Sequence, residues 1–342
     1  MAIFYSSIYG LTIQLNQQVP GIFIERSSDT LPDIQITFGS MPSWLEEEGG
    51  SKEILSVTPP EGQTGLPRLI RLNYPSRESF EVRYADGTRF LLNKDASEIW
   101  ATWPSDTLTV EDTATYLLGP IMGFALLLRG CISLHASALA INGNAVAIVG
   151  PAGSGKSTTA AALAELGYSI LAEDVVTLQD LGDQFLVQPA YPCIRLWPES
   201  VRALYGENVE LPKLTPTWEK CYLDLTQEQY QFQKRPLPLA AIYLLGERSD
   251  DQFAPSIREL EPNDALLKLI ANTYASRFMD RTMRGRAFEV LARLLKSVAV
   301  RRVEPHSDPK RIHSLCHAIT SDFDKHTTFQ PNPELRDQAL HV

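Results

Sequence analysis

Only four cysteines occur in the 342 residues, and Cys131, Cys193, Cys221 and Cys316 stand far apart with no C-x-x-C spacing. That scatter excludes a disulfide frame as the source of stability and fits the reduced thiols of a cytoplasmic protein. Basic charge is not in excess either. A formal net charge of −10 argues against nucleic acid or an anionic membrane as partner, since both are bound through surplus Lys and Arg. Long apolar runs are missing too. The most apolar stretch, Tyr116 to Leu128, is too short to span a bilayer and holds Gly119, Pro120 and Gly123, so it reads as a buried helix. The start, Met-Ala-Ile-Phe-Tyr, has no basic segment ahead of an apolar run, which predicts no secretion signal. No Ser-His-Asp arrangement and no dinucleotide-binding fingerprint stands out.

What is present is a glycine-rich loop of the form G-x-x-x-x-G-K-[ST], at Gly150, Pro151, Ala152, Gly153, Ser154, Gly155, Lys156 and Ser157, followed by Thr158. The apolar run Ala145 to Val149 precedes it and the alanine-rich stretch Thr158 to Leu166 follows, the strand–loop–helix context that the motif requires. Loop amides and the positive end of the helix dipole suit phosphate groups. Lys156 is placed to reach the β- and γ-phosphates of a nucleoside triphosphate, and Ser157 to ligate Mg²⁺.

Residues 1 to 104 read as a β-rich accessory domain. Within it Phe80 to Tyr84 and Thr88 to Leu92 flank the turn Ala85-Asp86-Gly87, and the Pro- and Gly-rich stretch Ser56 to Pro67 reads as a loop. A second domain is expected over 105–321. It opens with a helix capping box at Thr109-Val-Glu-Asp112. The runs Leu134 to Ala140 and Ala145 to Val149 join through Asn142-Gly143, a hairpin that places His135 on the strand beside the loop. Strands are expected at Tyr168 to Ala172, Val175 to Leu178, Phe185 to Gln188, Ile194 to Trp197 and Leu239 to Leu245. Helices are expected at about Pro262 to Asn272 and Arg286 to Val300, and a polar tail over 322–342. The fold class is α/β. Basic residues gather late, at Arg277, Arg281, Arg284, Arg286, Arg293, Lys296, Arg301 and Arg302, against only Asp280 and Glu289. They read as a solvated helix face or as a face for phosphates or an acidic substrate.

Glu173-Asp174 follows the strand Tyr168 to Ala172, sixteen residues after Ser157, so one helix and one strand return two carboxylates to the mouth of the loop. Phosphoryl transfer needs one carboxylate near Mg²⁺ and often a second to orient or deprotonate the attacking hydroxyl. We expect Asp174 to join Ser157 at the metal, with either acid as base. Arg195 is a further candidate for contacting phosphate or substrate, or a structural ion pair. His313, Cys316 and His317 imitate a metal site by one-turn spacing, but the same spacing suits a helix packing Ile312, Leu315, Cys316 and Ile319 on the core. Trp197 and Trp218 could stack on adenine or serve in packing.

The stretch from Leu134 to Thr158, together with Gly167-Tyr-Ser-Ile-Leu-Ala-Glu-Asp-Val-Val, resembles the HPr kinase/phosphorylase family, and especially the HPr kinase-related proteins, including the peptide kinases found with lasso-peptide clusters. The resemblance is specific over 133–178, softer through Tyr191 to Pro198, and covers little of 1–104. It implies a P-loop kinase core shared with phosphoenolpyruvate carboxykinase, ATP and Mg²⁺ as cofactors, and a serine hydroxyl on a protein or peptide as acceptor. It assigns His135 to the γ-phosphate, Lys156 and the loop glycines to the nucleotide, and Glu173 and Asp174 to the family's Asp-Asp pair. Glu173 departs from that pair by one methylene. The carboxyl-terminal glycine-rich signature of true HPr kinases is missing, which argues against HPr as acceptor and against phosphorylase activity. The resemblance also allows a homo-oligomer. A kinase for a small hydroxylated metabolite, or a nucleotide-dependent ATPase or assembly module, would use the same loop.

Overall fold

The computed structural model describes residues 2–25, 30–46, 50–55, 68–74 and 77–326. The loop expected at Ser56 to Pro67 lies outside the described residues. The first sheet contains β1 (Phe4–Ile8), β2 (Leu11–Leu15), β3 (Ile34–Phe38), β4 (Ser51–Ile54), β5 (Arg68–Tyr74), β6 (Arg77–Arg83), β7 (Arg89–Asn93) and β8 (Glu98–Thr102). Their spatial order is β1-β2-β3-β8-β7-β6-β5-β4. The pairs β2–β3 and β3–β8 are parallel and the rest antiparallel. In β3 the alternation buries Ile34, Ile36 and Phe38, the period-two signature of a half-covered strand. The β6–β7 hairpin turns through Gly87 at φ 93° as its sequence requires.

A helical segment then crosses the molecule: α1 (Val110–Tyr116), a π turn over Leu117–Ile121, and α2 (Met122–Leu128). The expected capping box is formed, with Thr109 and Asp112 each accepting from the other's backbone N–H. Pro120 lies inside the π turn, where its missing N–H and its ring disfavour a regular α-helical ladder. Among the described residues no helix is long and apolar enough to cross a membrane.

The second sheet is built around the hairpin of β9 (Ile132–Ile141) and β10 (Asn144–Val149), turned by Asn142 and Gly143, both with φ positive. Next in the chain come α3 (Lys156–Glu165), β11 (Ile170–Ala172), β12 (Val175–Asp180) and β13 (Phe185–Val187). They are followed by β14 (Cys193–Leu196), α4 (Pro198–Tyr205), β15 (Cys221–Asp224) and β16 (Leu237–Leu245). The chain ends its described course with β17 (Ser256–Glu259), α5 (Pro262–Ala271), α6 (Arg281–Leu294), β18 (Ala299–Glu304) and α7 (Ile312–His326). β9 serves three partners, β12 through Ile132 to His135, β10 through Ala136 to Ile141, and β11 through Ala138 and Leu139. β16 runs parallel to both β10 and β18. The loop after β10 therefore opens at the same sheet end as Gly246, which follows β16.

Two expectations are corrected. The helix placed at Arg286 to Val300 begins earlier, at Arg281, and stops at Leu294. Residues 299–304 form β18 because β16 offers an open parallel edge, and β-branched Val300 and Val303 fill it. The expected tail also starts too early. Asp322 accepts the Tyr243 hydroxyl at 2.8 Å and pairs with Arg301 at 3.3 Å, and Phe323 is buried, so α7 continues to His326.

One buried apolar cluster runs from the first sheet through the crossing helices into the second half, including Phe38, Phe80, Phe124 and Phe278. Phe124 meets the Phe80 and Phe278 rings at 5.5 and 5.0 Å. The two halves thus share a core. A second cluster lies where α3 and α7 cover the sheet; Ala160 to Ala164 of α3 are fully buried, and the small side chains let α3 settle close.

Candidate active site

β10 delivers the chain to the loop Gly150 to Gly155, and α3 begins at Lys156. Gly155 has φ 103°, a conformation that an L side chain resists, so glycine is required to turn the loop into the helix. Lys156 is 6 % exposed, and its Nζ donates to the carbonyls of Gly150 at 2.8 Å and Pro151 at 2.9 Å. Burial lowers its pKa to about 8, against the opposing pull of Asp174 and Glu173. Thr158 turns the other way, sharing a hydrogen bond with Ser200 of α4 at 2.8 Å.

β11 and β12 form the opposite rim and carry the two acids between them. Ser157 Oγ donates to Glu173 Oε1 at 2.7 Å. Glu173 is 5 % exposed, and its Oε2 is buried with no hydrogen-bond partner among the described residues. Burial and then the neighbouring Asp174 charge push the Glu173 carboxyl above its ordinary pKa. The expected companionship of Ser157 with Asp174 is therefore replaced by Ser157 with Glu173, because the two consecutive acids leave the strand in different directions. Asp174 has φ 69°, sparsely populated for a residue other than glycine, and this turn aims its carboxylate away from Ser157 and toward β9.

There Asp174 is enclosed by donors. His135 Nδ1 stands 3.1 Å from Oδ1, the Tyr274 hydroxyl donates to Oδ2 at 3.0 Å, and Arg195 Nη2 lies 3.9 Å from Oδ2. Burial alone would raise the Asp174 pKa, but the His135 hydrogen bond and the Arg195 charge outweigh it and hold the carboxyl well below the usual range. Burial and Asp174 raise the Tyr274 phenol, which keeps it a donor. Gly119 of the π turn closes the cage from above. A Cβ there would stand 3.2 Å from Asp174 Oδ2 and 3.5 Å from Arg195 Nη2, so a larger residue would press on the carboxylate. Behind Arg195, Nη2 also donates to the Tyr191 hydroxyl and Nη1 to the Thr115 carbonyl. Tyr191 in turn meets Tyr9, in the turn between β1 and β2, edge to face at 6.4 Å.

A cleft of about 1250 Å³ opens over this arrangement, lined by His135, by Gly150 to Ser154, by Leu244 to Arg248 and by 271–278. The structure thus brings His135, Lys156, Ser157, Glu173, Asp174 and Arg195 together. Sequence reasoning missed Tyr274, Arg248 and Lys220. Tyr274 lies one hundred residues from Asp174. Arg248 Nη2 would stand 3.5 Å from a Cβ at Gly155. Lys220, over the Trp197 ring at 5.1 Å, contributes positive potential at both acids. No local pattern announces any of the three. Trp197 is 53 % exposed at the start of α4 and Trp218 packs edge to face on Tyr116, both away from the cleft lining. On α7, Leu315, Cys316 and Ile319 are buried while His313 and His317 are exposed; among the described residues no cluster of His, Cys, Asp and Glu is arranged to hold a metal.

No protein-family model and no curated protein matches this chain. Among solved structures it is similar to the HPr(Ser) kinase/phosphatase from Coxiella burnetii, at 17 % identity over 61 % of this chain and 96 % of that chain, with a TM-score of 0.30.

Proposed function

We propose that the protein is a cytoplasmic ATP- and Mg²⁺-dependent kinase of HPr kinase-like type that transfers the γ-phosphate to a serine hydroxyl of a protein or peptide. The observation that carries this reading is the pairing of Ser157 with Glu173 at 2.7 Å beside a separately caged Asp174, at the mouth of a glycine-rich loop. Two adjacent carboxylates with different partners suit two different tasks. Residues 1–104 would be an accessory domain that buttresses the site through Tyr9 and Tyr191.

The residues fit the cofactor. Glu173 Oε2 is a buried oxygen without a hydrogen-bond partner among the described residues, beside a serine hydroxyl, in a place where a divalent cation would supply the missing counter-charge. Ser157 and Glu173 would hold Mg²⁺, while the loop amides, the start of α3 and Lys156 would hold the phosphates. Bound Mg²⁺-ATP supplies the electrophilic phosphorus and offsets charge on the transferring group. Asp174 orients the acceptor hydroxyl and takes its proton as the new oxygen–phosphorus bond forms and the bond to the ADP oxygen breaks. A strongly acidic carboxylate is adequate for this, because in a loose transition state the hydroxyl loses its proton late. His135, Tyr274 and Arg195 keep Asp174 in position, and His135 also lines the cleft.

The test is transfer from γ-labelled ATP with Mg²⁺ into a desalted host lysate. Acid-stable label on a polypeptide is expected, falling about 10³-fold or more with Lys156→Ala while the melting temperature is kept. Label confined to small molecules would replace this reading by a metabolite kinase. Free phosphate alone would replace it by an ATPase module.

A further inference from the structure

Among the described residues four cationic side chains, Arg248, Lys268, Arg277 and Arg302, line the cleft against the single carboxylate of Glu247. This is a reversal of sign in a chain of net charge −10. Arg302 is paired with Glu304 at 3.2 Å. Among the described residues Arg248, Lys268 and Arg277 pair with no carboxylate, so the fold does not use their charge. All three are exposed at the surface of the cleft, where an incoming anion can pair with them.

The cations fall into two groups. Arg248 stands beside Gly155 and belongs to the phosphate side of the cleft. Lys268 lies on α5, and Arg277 in the short 3₁₀ turn Ser276–Phe278, where its guanidinium covers the Phe278 ring at 4.6 Å. They bracket the segment that is knitted to the acids. The His135 amide donates to the Asn272 carbonyl at 2.8 Å, the Tyr274 amide to the Ser133 carbonyl at 2.8 Å, and the Tyr274 hydroxyl to Asp174. Partial burial pulls the Arg277 pKa below its usual value, against the pull of Tyr84 and Tyr274. The late basic run of the sequence is thereby divided. Arg293 pairs with Asp180, Arg301 pairs with Glu259 and Asp322, and Arg277 is left facing the cleft.

We propose that the acceptor carries a carboxylate or phosphate group next to the hydroxyl that is phosphorylated, and that Lys268 and Arg277 bind that group. This rests on the kinase reading above and narrows its substrate. The triphosphate is already served by the loop amides, Lys156, the metal at Ser157 and Glu173, and Arg248. A neutral acceptor would need no further cations. An anionic acceptor would be repelled by Glu173 and Asp174, and Lys268 and Arg277 of the cleft lining would offset that repulsion.

The anion can belong to an acidic serine peptide or to a small hydroxy-acid or hydroxy-phosphate. Binding is measured on the full chain loaded with Mg²⁺ and a non-hydrolysable ATP analogue, using labelled five-residue peptides with a central serine flanked by glutamates, alanines or lysines, and glycerol 3-phosphate against glycerol. The acidic peptide or glycerol 3-phosphate should bind at least about tenfold more tightly than its neutral counterpart. Lys268→Gln and Arg277→Gln, singly and together, should erase that preference and leave analogue affinity unchanged. A preference seen only among peptides assigns a peptide acceptor, and one seen only for glycerol 3-phosphate a metabolite. Equal binding of acidic and neutral probes, or a preference that survives in the double variant, overturns the proposal. Failure of the analogue itself to bind overturns the kinase reading, and this proposal with it.

Discussion

In β6, Glu81 is 1 % exposed and accepts from Arg83 at 2.8 Å and from Arg89 at 2.6 Å. At the rim of the loop, Glu173 is 5 % exposed and has one oxygen on Ser157 and the other on no partner among the described residues. Burial raises both pKa values. In Glu81 the hydrogen bonds of Arg83 and Arg89 reverse the effect and the carboxyl ends below its ordinary value, while in Glu173 the Asp174 charge adds to burial and the carboxyl ends above it. The first sheet completes its buried charge with its own side chains. The second half leaves one incomplete, at the position where a ligand would complete it, and such uncompensated groups cluster at functional sites.

The sharpest way to break this contrast is Glu173→Gln. Transfer should fall about 100-fold or more, because the amide cannot serve a cation as a carboxylate does, while thermal stability stays level or rises with the loss of a buried charge. A drop in melting temperature with activity intact would make Glu173 a structural acid like Glu81. Tyr274→Phe should come next. It removes one hydrogen bond to a charged group and nothing of the packing against Gly123, so a fall of about tenfold in kcat is expected with little change in the KM for ATP. A KM effect alone would remove Tyr274 from the positioning of Asp174.

Glu81→Gln should leave transfer untouched and cost about 1 kcal/mol of stability, modest because Arg83 and Arg89 are 40 % and 38 % exposed and regain water. Its pH signature has a definite sign. A carboxyl with a folded pKa below its unfolded value stabilises the protein above that unfolded value, about 4.3, and the contribution is lost as the pH falls through the folded one. Wild type should therefore lose its advantage over Glu81→Gln as denaturant midpoints are followed downward from pH 5. A gap that widens on acidification would refute the assignment.

Much of this arrangement is legible locally. The glycine-rich loop, the Thr109–Asp112 capping box, the Asn142-Gly143 turn and the return of two acids after one helix and one strand all depend on residues within about thirty positions of each other, where backbone preferences act directly. β18 was not legible. Residues 299–304 follow a helix with no turn marker, and only the open edge of β16 makes them a strand. The boundary at 104 is visible as a change from strands to helices, yet Phe80, Phe124 and Phe278 pack across it, which no local pattern reports.

The sequence by itself determined that a phosphate-type loop faces two acids and a histidine, because hydrogen bonds and turn preferences over short spans decide those elements. Only the tertiary structure decided that Ser157 takes Glu173, that Tyr274 and Arg195 enclose Asp174, and that among the described residues Lys268 and Arg277 are left without acids. Those outcomes depend on side chains that meet across as many as one hundred residues, where packing of the two sheets and the crossing helices, and not the order of residues along the chain, sets the distance.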